Sequence, residues 1–349
     1  KDLKDPHDKE EFKPSSYLFI RSFDGDNGDR PIPSTIPFWA SPDLKISPSL
    51  SPSSYTTELN ANTEYNFNCV VHNRGDLSVP SAKVEFYLVK PSLGFDTRFG
   101  KFLGVVSAWV NSFDSSEVNL TYRVKPEDAG HICLFARVFS FSPEDLPIDD
   151  YALNPVNDRH IGQKNLNIVV QGTLMQINLL HMPQAEILVQ MIPMNSQSII
   201  ATRHPSIADF KIVDSNRMAN RIMQMDNAFN LKFSKEIKNS KLVFQRGITN
   251  VANITVDDKG EFSLESQKMI YSRIQEINKI VLSGKAKASA YRKEYALYRK
   301  MNLENRVSPL SLQIPNLGLQ KGEMVGFEIN ATNRINGEVF GGIMLLVTG

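Results

Sequence analysis

The sequence predicts a mainly β protein made of two immunoglobulin-like β-sandwiches, with a helical insertion in the second. Short segments of alternating apolar and polar residues recur along the chain, and Gly, Asn and Asp turn signals separate them. One later stretch instead has apolar residues at helical spacing. The length of 349 residues suits two domains.

Residues 1–50 are predicted to form a proline-rich extended arm, because their prolines exclude a helix and favour extended backbone. A short strand is expected at 17–21, where apolar residues cluster. Tyr17 and Phe19 are candidate contact residues there, since a free strand can pair with the open sheet edge of another subunit. The alternative is an arm folded back on its own domain.

Residues 51–165 are predicted to form the first sandwich. Alternating patterns place strands at 65–70, 83–88 and 118–124, and a long apolar segment places another at 132–141. Cys69 falls in an early strand and Cys133 in a late one, which correspond to strands B and F of an immunoglobulin-type sandwich. We expect the two side chains to face each other across the core of the first sandwich. The pair forms either a disulfide or two buried thiols, and the sequence leaves both open.

Residues 166–349 are predicted to form the second sandwich. Its strand candidates are 166–170, 175–180, 187–192, 228–233, 241–244, 250–256, 310–314, 324–329 and 340–347. A helical insert is placed at about 263–302, where Ile270, Ile274 and Ile277 follow helical spacing, as do three tyrosines after Gly284.

Four short motifs in the first half resemble bacterial immunoglobulin-like modules of the CARDB, or cell-adhesion-related, type. They are 38–44 (FWASPDL), 72–76 (HNRGD), 130–138 (GHICLFARV) and 157–166 (NDRHIGQKNL), and the resemblance covers about 17–170. It implies a β-sandwich used in adhesion, scaffolding or assembly, and it carries no catalytic residues. We expect a secreted or cell-surface location.

Composition and motifs disfavour an enzyme. Lys and Arg number 39 against 38 Asp and Glu, a net charge of +1, which disfavours a strongly basic nucleic-acid binder. The sequence contains no serine-hydrolase, phosphate-loop, dinucleotide-binding or zinc motif. No apolar run reaches 18 residues, so no membrane-spanning segment is predicted.

The acidic loop at 24–29 is the one candidate for a bound metal. Asp24, Asp26 and Asp29 have the carboxylate density of a calcium loop, but two required EF-hand ligand positions are not filled. A solvated Asx turn is the preferred interpretation, and neither a cofactor nor a metal site is predicted.

The helical insert carries a concentrated basic face. Its candidate contact residues are Lys285, Lys287, Arg292, Lys293, Arg299 and Lys300. Basic side chains with interleaved tyrosines can bind nucleic acid, yet the tyrosines share one helix face, which favours packing on a sheet. We expect the basic face to dock an acidic surface of another subunit, such as the 143–150 loop of a second copy.

We therefore expect a non-catalytic structural or adhesion protein that acts through protein–protein contacts, as a subunit of a surface or extracellular assembly and as a homo-oligomer. One alternative is a carbohydrate-binding or hydrolase-accessory protein, which exposed aromatic side chains would favour. Trp39 and Trp109 are interpreted as structural instead. The other alternative is a nucleic-acid-associated structural protein that binds through the basic, tyrosine-rich helix.

Overall fold

The computed structural model describes residues 14–213, 230–233, 241–245, 250–283 and 285–349. It confirms a mainly β protein with several sheets and a few helices. Within these ranges, no helix is both long enough and apolar enough to cross a membrane.

The first sandwich has the strand arrangement of an immunoglobulin-type domain. The strands in residues 18–164 are β1 (Leu18–Phe19), β2 (Leu44–Pro48), β3 (Glu58–Leu59), β4 (Glu64–Asn73), β5 (Val79–Val89), β6 (Ser92–Leu93), β7 (Lys101–Val110), β8 (Asp114–Arg123), β9 (Gly130–His131), β10 (Cys133–Phe139) and β11 (Ile161–Lys164). In one sheet, β4 pairs along its whole length with β8 and, on its other edge, with β1 and β2. The facing sheet has the order β11-β10-β5-β7, so β4 and β10 are strands B and F.

The second sandwich contains a seven-stranded and a four-stranded sheet. Its strands are β12 (Leu166–Val170), β13 (Leu174–His181), β14 (Glu186–Pro193), β15 (Lys211–Ile212), β16 (Asn230–Phe233), β17 (Lys241–Gln245), β18 (Asn250–Thr255), β19 (Arg306–Gln313), β20 (Glu323–Asn333) and β21 (Glu338–Thr348). The larger sheet has the order β12-β21-β20-β14-β18-β17, with β15 beside β20. The smaller is β16-β19-β13-β6, and β6 comes from the first half of the chain.

The predicted insert is a helical hairpin between β18 and β19. The helices described in this half are α1 (Ser196–Ala201), α2 (Leu264–Leu282) and α3 (Arg292–Asn302). Ser263 begins α2, since its hydroxyl accepts a hydrogen bond from the Ser266 amide at 3.2 Å. Ile270, Ile274 and Ile277 are buried in the core, so the helical spacing marks the face of α2 that packs on the second sandwich.

Strand β10 is buried on both faces and joins the two sandwiches. Leu134 and Ala136 point into the core of the first sandwich. Cys133 and Phe135 point the other way, into a core that the first sandwich shares with the second. A strand covered on both faces loses the usual apolar–polar alternation, which explains why the segment 132–141 is mostly apolar.

Cys69 and Cys133 do not form a disulfide, because both are free and buried thiols. They do lie on strands B and F, but Cys69 faces the core of the first sandwich and Cys133 faces the shared core. The prediction that the two side chains face each other is therefore wrong. Successive residues of a strand point to opposite faces of the sheet, so Leu134 and not Cys133 points from β10 into the core that contains Cys69. Burial raises the pKa of Cys133 to about 12 and that of Cys69 well above its ordinary value, so both thiols stay neutral.

The described part of the arm, residues 14–50, folds back on its own chain and holds the two sandwiches together. Its strands β1 and β2 extend the first sandwich. Ile32, Phe38 and Trp39 pack on the outer face of the seven-stranded sheet. The Trp39 ring lies against the backbone of Gly342, so any side chain at position 342 would collide with the ring.

Candidate functional site

The carboxylate of Asp145 is the centre of the arm's attachment. It is fully buried and accepts hydrogen bonds from the Leu18 amide at 2.8 Å and from the Ser16 hydroxyl. Arg159 pairs with it at 3.2 Å. Burial alone would raise the pKa of Asp145, but its contacts with His160 and Ser16 outweigh burial and lower the pKa. The charged carboxylate therefore fixes β1 against the first sandwich.

Tyr17 and Phe19, the predicted intersubunit contacts, make contacts within the chain. The guanidinium groups of Arg159 and Arg74 lie 4.0 and 4.2 Å from the centre of the Tyr17 ring. Phe19 is buried and stacks on the His72 ring, with 5.1 Å between ring centres. In the structure both rings hold the arm on its own sandwich.

The acidic loop at 24–29 is organised by arginines. The ion pairs are Asp24 with Arg203 (3.8 Å), Asp26 with Arg30 (2.9 Å) and Asp29 with Arg74 (3.0 Å). Asp26 also accepts the Gly28 amide at 2.8 Å, which is the predicted Asx turn. The Arg30 guanidinium binds both oxygens of the Asp26 carboxylate, which a calcium ion would need as a ligand. In the described parts of the chain, no three His, Cys, Asp or Glu side chains converge as a metal site.

Most of the basic candidate residues of the insert face solvent. Lys285, Lys287, Arg292, Lys293 and Lys300 are exposed, and Arg299 is half-buried. Lys300 pairs with Glu261, and Arg299 approaches the Ile148 carbonyl at 3.5 Å. Among the residues that the structure describes, the first four have no ion-pair partner.

The acidic 143–150 loop contacts the insert of the same chain. The Asn302 side chain donates to Asp149 Oδ2 at 3.0 Å, and this contact is buried. The loop that we expected to receive a second copy's basic face therefore lies against α3 of its own chain.

The tyrosines of the insert pack as predicted. Tyr295 and Tyr298 are each 8% exposed and belong to the shared core, and Tyr291 packs partly buried against it. The Tyr295 hydroxyl donates to Asn278 Oδ1 at 2.9 Å and joins the two helices. These rings are not available as a stacking platform for nucleic-acid bases.

A cleft of about 200 Å³ opens between the hairpin and the loops that attach the arm. Its apolar wall contains Leu146, Pro147, Ile148, Val281, Ala288 and Tyr295, and its arginines are Arg30, Arg159, Arg292 and Arg299. The cleft brings together three residues predicted from the sequence, namely Tyr17, Arg292 and Arg299. The sequence did not place Arg30 and Arg159 beside the insert, because they come from loops far away in the chain.

Strand β7 forms an open, apolar sheet edge. Among the described strands it pairs only with β5. Phe102 and Val105 are each 50% exposed, and Trp109 is 61% exposed. The Trp109 indole donates to Asn111 Oδ1 at 2.9 Å. The interpretation of Trp109 as structural is therefore wrong, whereas Trp39, at 3% exposed, is structural.

Lys164 is a buried lysine, and a buried lysine with a lowered pKa can act as a catalytic base. Burial lowers the pKa of its ammonium to about 8. The ammonium donates to the Ser41 carbonyl at 3.0 Å and lies 5.0 Å from the centre of the Tyr55 ring. Its hydrogen bond runs to the arm backbone, so Lys164 ties the arm to β11.

Comparison with known proteins gives partial similarities in structure. No family model and no curated protein matches the chain. A CARDB domain from Pyrococcus furiosus, in complex with di-metal ions, matches 35% of this chain and 84% of that domain, at 15% identity and a TM-score of 0.23. A β-glucosidase from Erythrobacter marinus matches 34% of this chain and 14% of that enzyme, at 10% identity and a TM-score of 0.20.

A β-glucosidase from Listeria innocua, in complex with glucose, matches 30% of this chain at 13% identity and a TM-score of 0.18. This chain spans only 15% of the length of that enzyme. The CARDB type named from the sequence is thus found among similar structures. At these TM-scores none of the matches assigns a function to the chain.

The buried contacts of the Asp158 carboxylate predict a pH-dependent stability. Burial would raise the pKa of Asp158, but the charge of His160 and its 2.6 Å hydrogen bond lower it to about 2. An unfolded aspartate has a pKa of about 3.9, so ionised Asp158 stabilises the fold above about pH 4. This contribution is lost as the pH falls from about 4 to about 2.

We expect Asp158→Asn to lower the free energy of unfolding by about 2 kcal/mol at neutral pH, and the difference from the wild type to shrink below about pH 4. Urea unfolding at a series of pH values measures this. Asp150→Asn, at an exposed neighbouring position, is the matched control and should show no such trend. A constant difference at every pH would contradict the assignment.

Proposed function

We propose that the chain is a non-catalytic structural protein that acts through protein–protein contacts, as a subunit of a homo-oligomeric assembly. The observation that carries the proposal is the open edge of β7. Lys101 is the only charged residue between 101 and 113, and exposed edge strands normally carry charges or proline that prevent pairing. The edge strand β8 of the facing sheet has such protection, with Asp114, Glu117 and Arg123.

The side chains of β7 suit pairing with a second copy. An antiparallel pair centred on Ser107 places Val105 of one copy opposite Trp109 of the other, and the symmetry repeats this contact. Such pairs of an aromatic and a β-branched residue each stabilise a sheet by about 0.2–1 kcal/mol. The pair would join two four-stranded sheets into one continuous sheet.

A secreted or cell-surface location is part of this proposal and is supported by the CARDB resemblance alone. The free thiols give no argument for an oxidising compartment. The absence of enzymatic activity is likewise proposed. The environment of Lys164 supports it, since the ammonium of this pKa-shifted residue donates to a backbone carbonyl.

The oligomeric state of a charged edge variant tests the proposal. Val105→Lys should raise the dissociation constant of the oligomer at least about tenfold, because symmetric pairing would bury two new ammonium groups. Analytical ultracentrifugation over a concentration series measures the change. Val170→Lys is the matched control, because Val170 is 54% exposed on β12 and lies outside the pairing edge.

The proposal fails if the wild type is monomeric at every concentration, or if Val105→Lys associates as strongly as the wild type. Circular dichroism of both variants in the near ultraviolet shows whether packing is retained.

The exposed indole of Trp109 favours carbohydrate binding as a second candidate function. An aromatic face with a polar edge can stack on a sugar ring, and its bond to Asn111 fixes the indole orientation. Affinity electrophoresis through polysaccharide gels distinguishes the two functions. For this candidate, Trp109→Ala should abolish retardation while Val105→Lys retains it. Equal migration of the wild type with and without polysaccharide would eliminate it for the polysaccharides used.

A further inference from the structure

We propose that the arginine-lined cleft beside the helical hairpin binds an acidic segment of a partner protein. An apolar side chain of that segment would enter the cleft, and its flanking carboxylates would pair with the arginines. No lining residue of the cleft belongs to β7, so this inference is independent of the proposed pairing between copies.

The apolar wall gives the cleft its capacity for an anchoring side chain. Leu146 is 51% exposed, and Val281 and Ala288 are partly buried on the opposite side. A volume of about 200 Å³ accommodates one large apolar side chain. Exposed apolar surface of this kind, with charged groups around it, is typical of a recognition site.

The arginines differ in whether their charges are already neutralised. Arg30 pairs with Asp26 at 2.9 Å, and Arg159 pairs with Asp145 at 3.2 Å. Arg292 and Arg299 have no ion-pair partner in the described chain, and Arg299 approaches the Ile148 backbone carbonyl at 3.5 Å. The two guanidinium groups of α3 are therefore free to receive carboxylates, which they can bind through two parallel hydrogen bonds.

The arginines of the cleft outnumber its acidic groups. The acids in its lining are Glu144 and Asp158. Asp158 is already bound to His160 at 2.6 Å. Arg292 also begins α3, where the helix dipole adds positive potential, and Glu294 in the same turn is paired with Arg273 at 3.8 Å.

The surface around the cleft extends the positive field. Lys285, Lys287 and Lys293 are exposed beside it and have no ion-pair partner among the described residues. Such a field raises the association rate of an acidic partner and makes binding sensitive to salt.

A protein segment fits this site better than a nucleic acid. Most of the accessible apolar wall is aliphatic. The Tyr17 ring is already covered by the Arg74 and Arg159 guanidinium groups, and Tyr295 is buried, so neither ring face is open for base stacking.

The test measures binding of a fluorescein-labelled peptide of alternating glutamate and leucine to the full chain by fluorescence anisotropy. The double variant Arg292→Glu, Arg299→Glu should weaken binding at least about tenfold, since it replaces both free cations by anions. The double variant Lys259→Glu, Lys268→Glu makes the same charge change at two lysines that are exposed and outside the cleft lining. This control should retain the wild-type affinity within about twofold.

Two further measurements separate the cleft from general attraction to the basic face. Ala288→Trp fills the cleft without removing a charge and should also weaken binding. A peptide with serine in place of leucine should bind more weakly to the wild type, because it lacks the apolar anchor.

The proposal is overturned if the wild type shows no binding, if the double variant binds like the wild type, or if Ala288→Trp has no effect. Tight binding of a fluorescein-labelled single-stranded oligonucleotide in place of the peptide, lost in the double variant, would instead assign the surface to nucleic acid. Circular dichroism shows that each variant remains folded.

Discussion

The two-sided burial of β10 is the constraint on which the rest of the structure depends. One face of this strand completes the first sandwich, and the other face carries Cys133 and Phe135 into the shared core. Burying an aromatic side chain stabilises a fold by about 1.5–3 kcal/mol, so separating the sandwiches would expose costly surface. The first sandwich is therefore complete only with the second one against it.

This arrangement also determines which surfaces remain for partners. The sheet of the first sandwich that contains β10 has the strand order β11-β10-β5-β7. The second sandwich packs on the β10 side of this sheet, and β7 lies at its open edge. The arm covers the outer face of the seven-stranded sheet through Phe38 and Trp39. The helical hairpin leaves its basic side in solvent. The apolar edge and the arginine-lined cleft are thus two of the surfaces that the packing of the described residues leaves accessible.

Local patterns in the sequence predict much of this fold. Alternation located β4 and β5, and the isoleucine spacing located α2. The orientation of Cys133 was not predictable, because a strand buried on both faces has no alternation from which to read its register. The cleft was only half predictable. Arg292 and Arg299 belong to one basic run, whereas Arg159 reaches the same cleft through a tertiary contact between the arm and a distant loop.

The thermal unfolding of the full chain tests most directly whether the two sandwiches form one body through β10. We predict one calorimetric transition whose calorimetric and van't Hoff enthalpies agree. Phe135→Ala should destabilise that single transition by about 3–5 kcal/mol, while Phe141→Ala, at a position 89% exposed, should change it by less than about 0.5 kcal/mol. Two separate transitions in the wild type, or a loss of stability in only one of them on Phe135→Ala, would contradict the account.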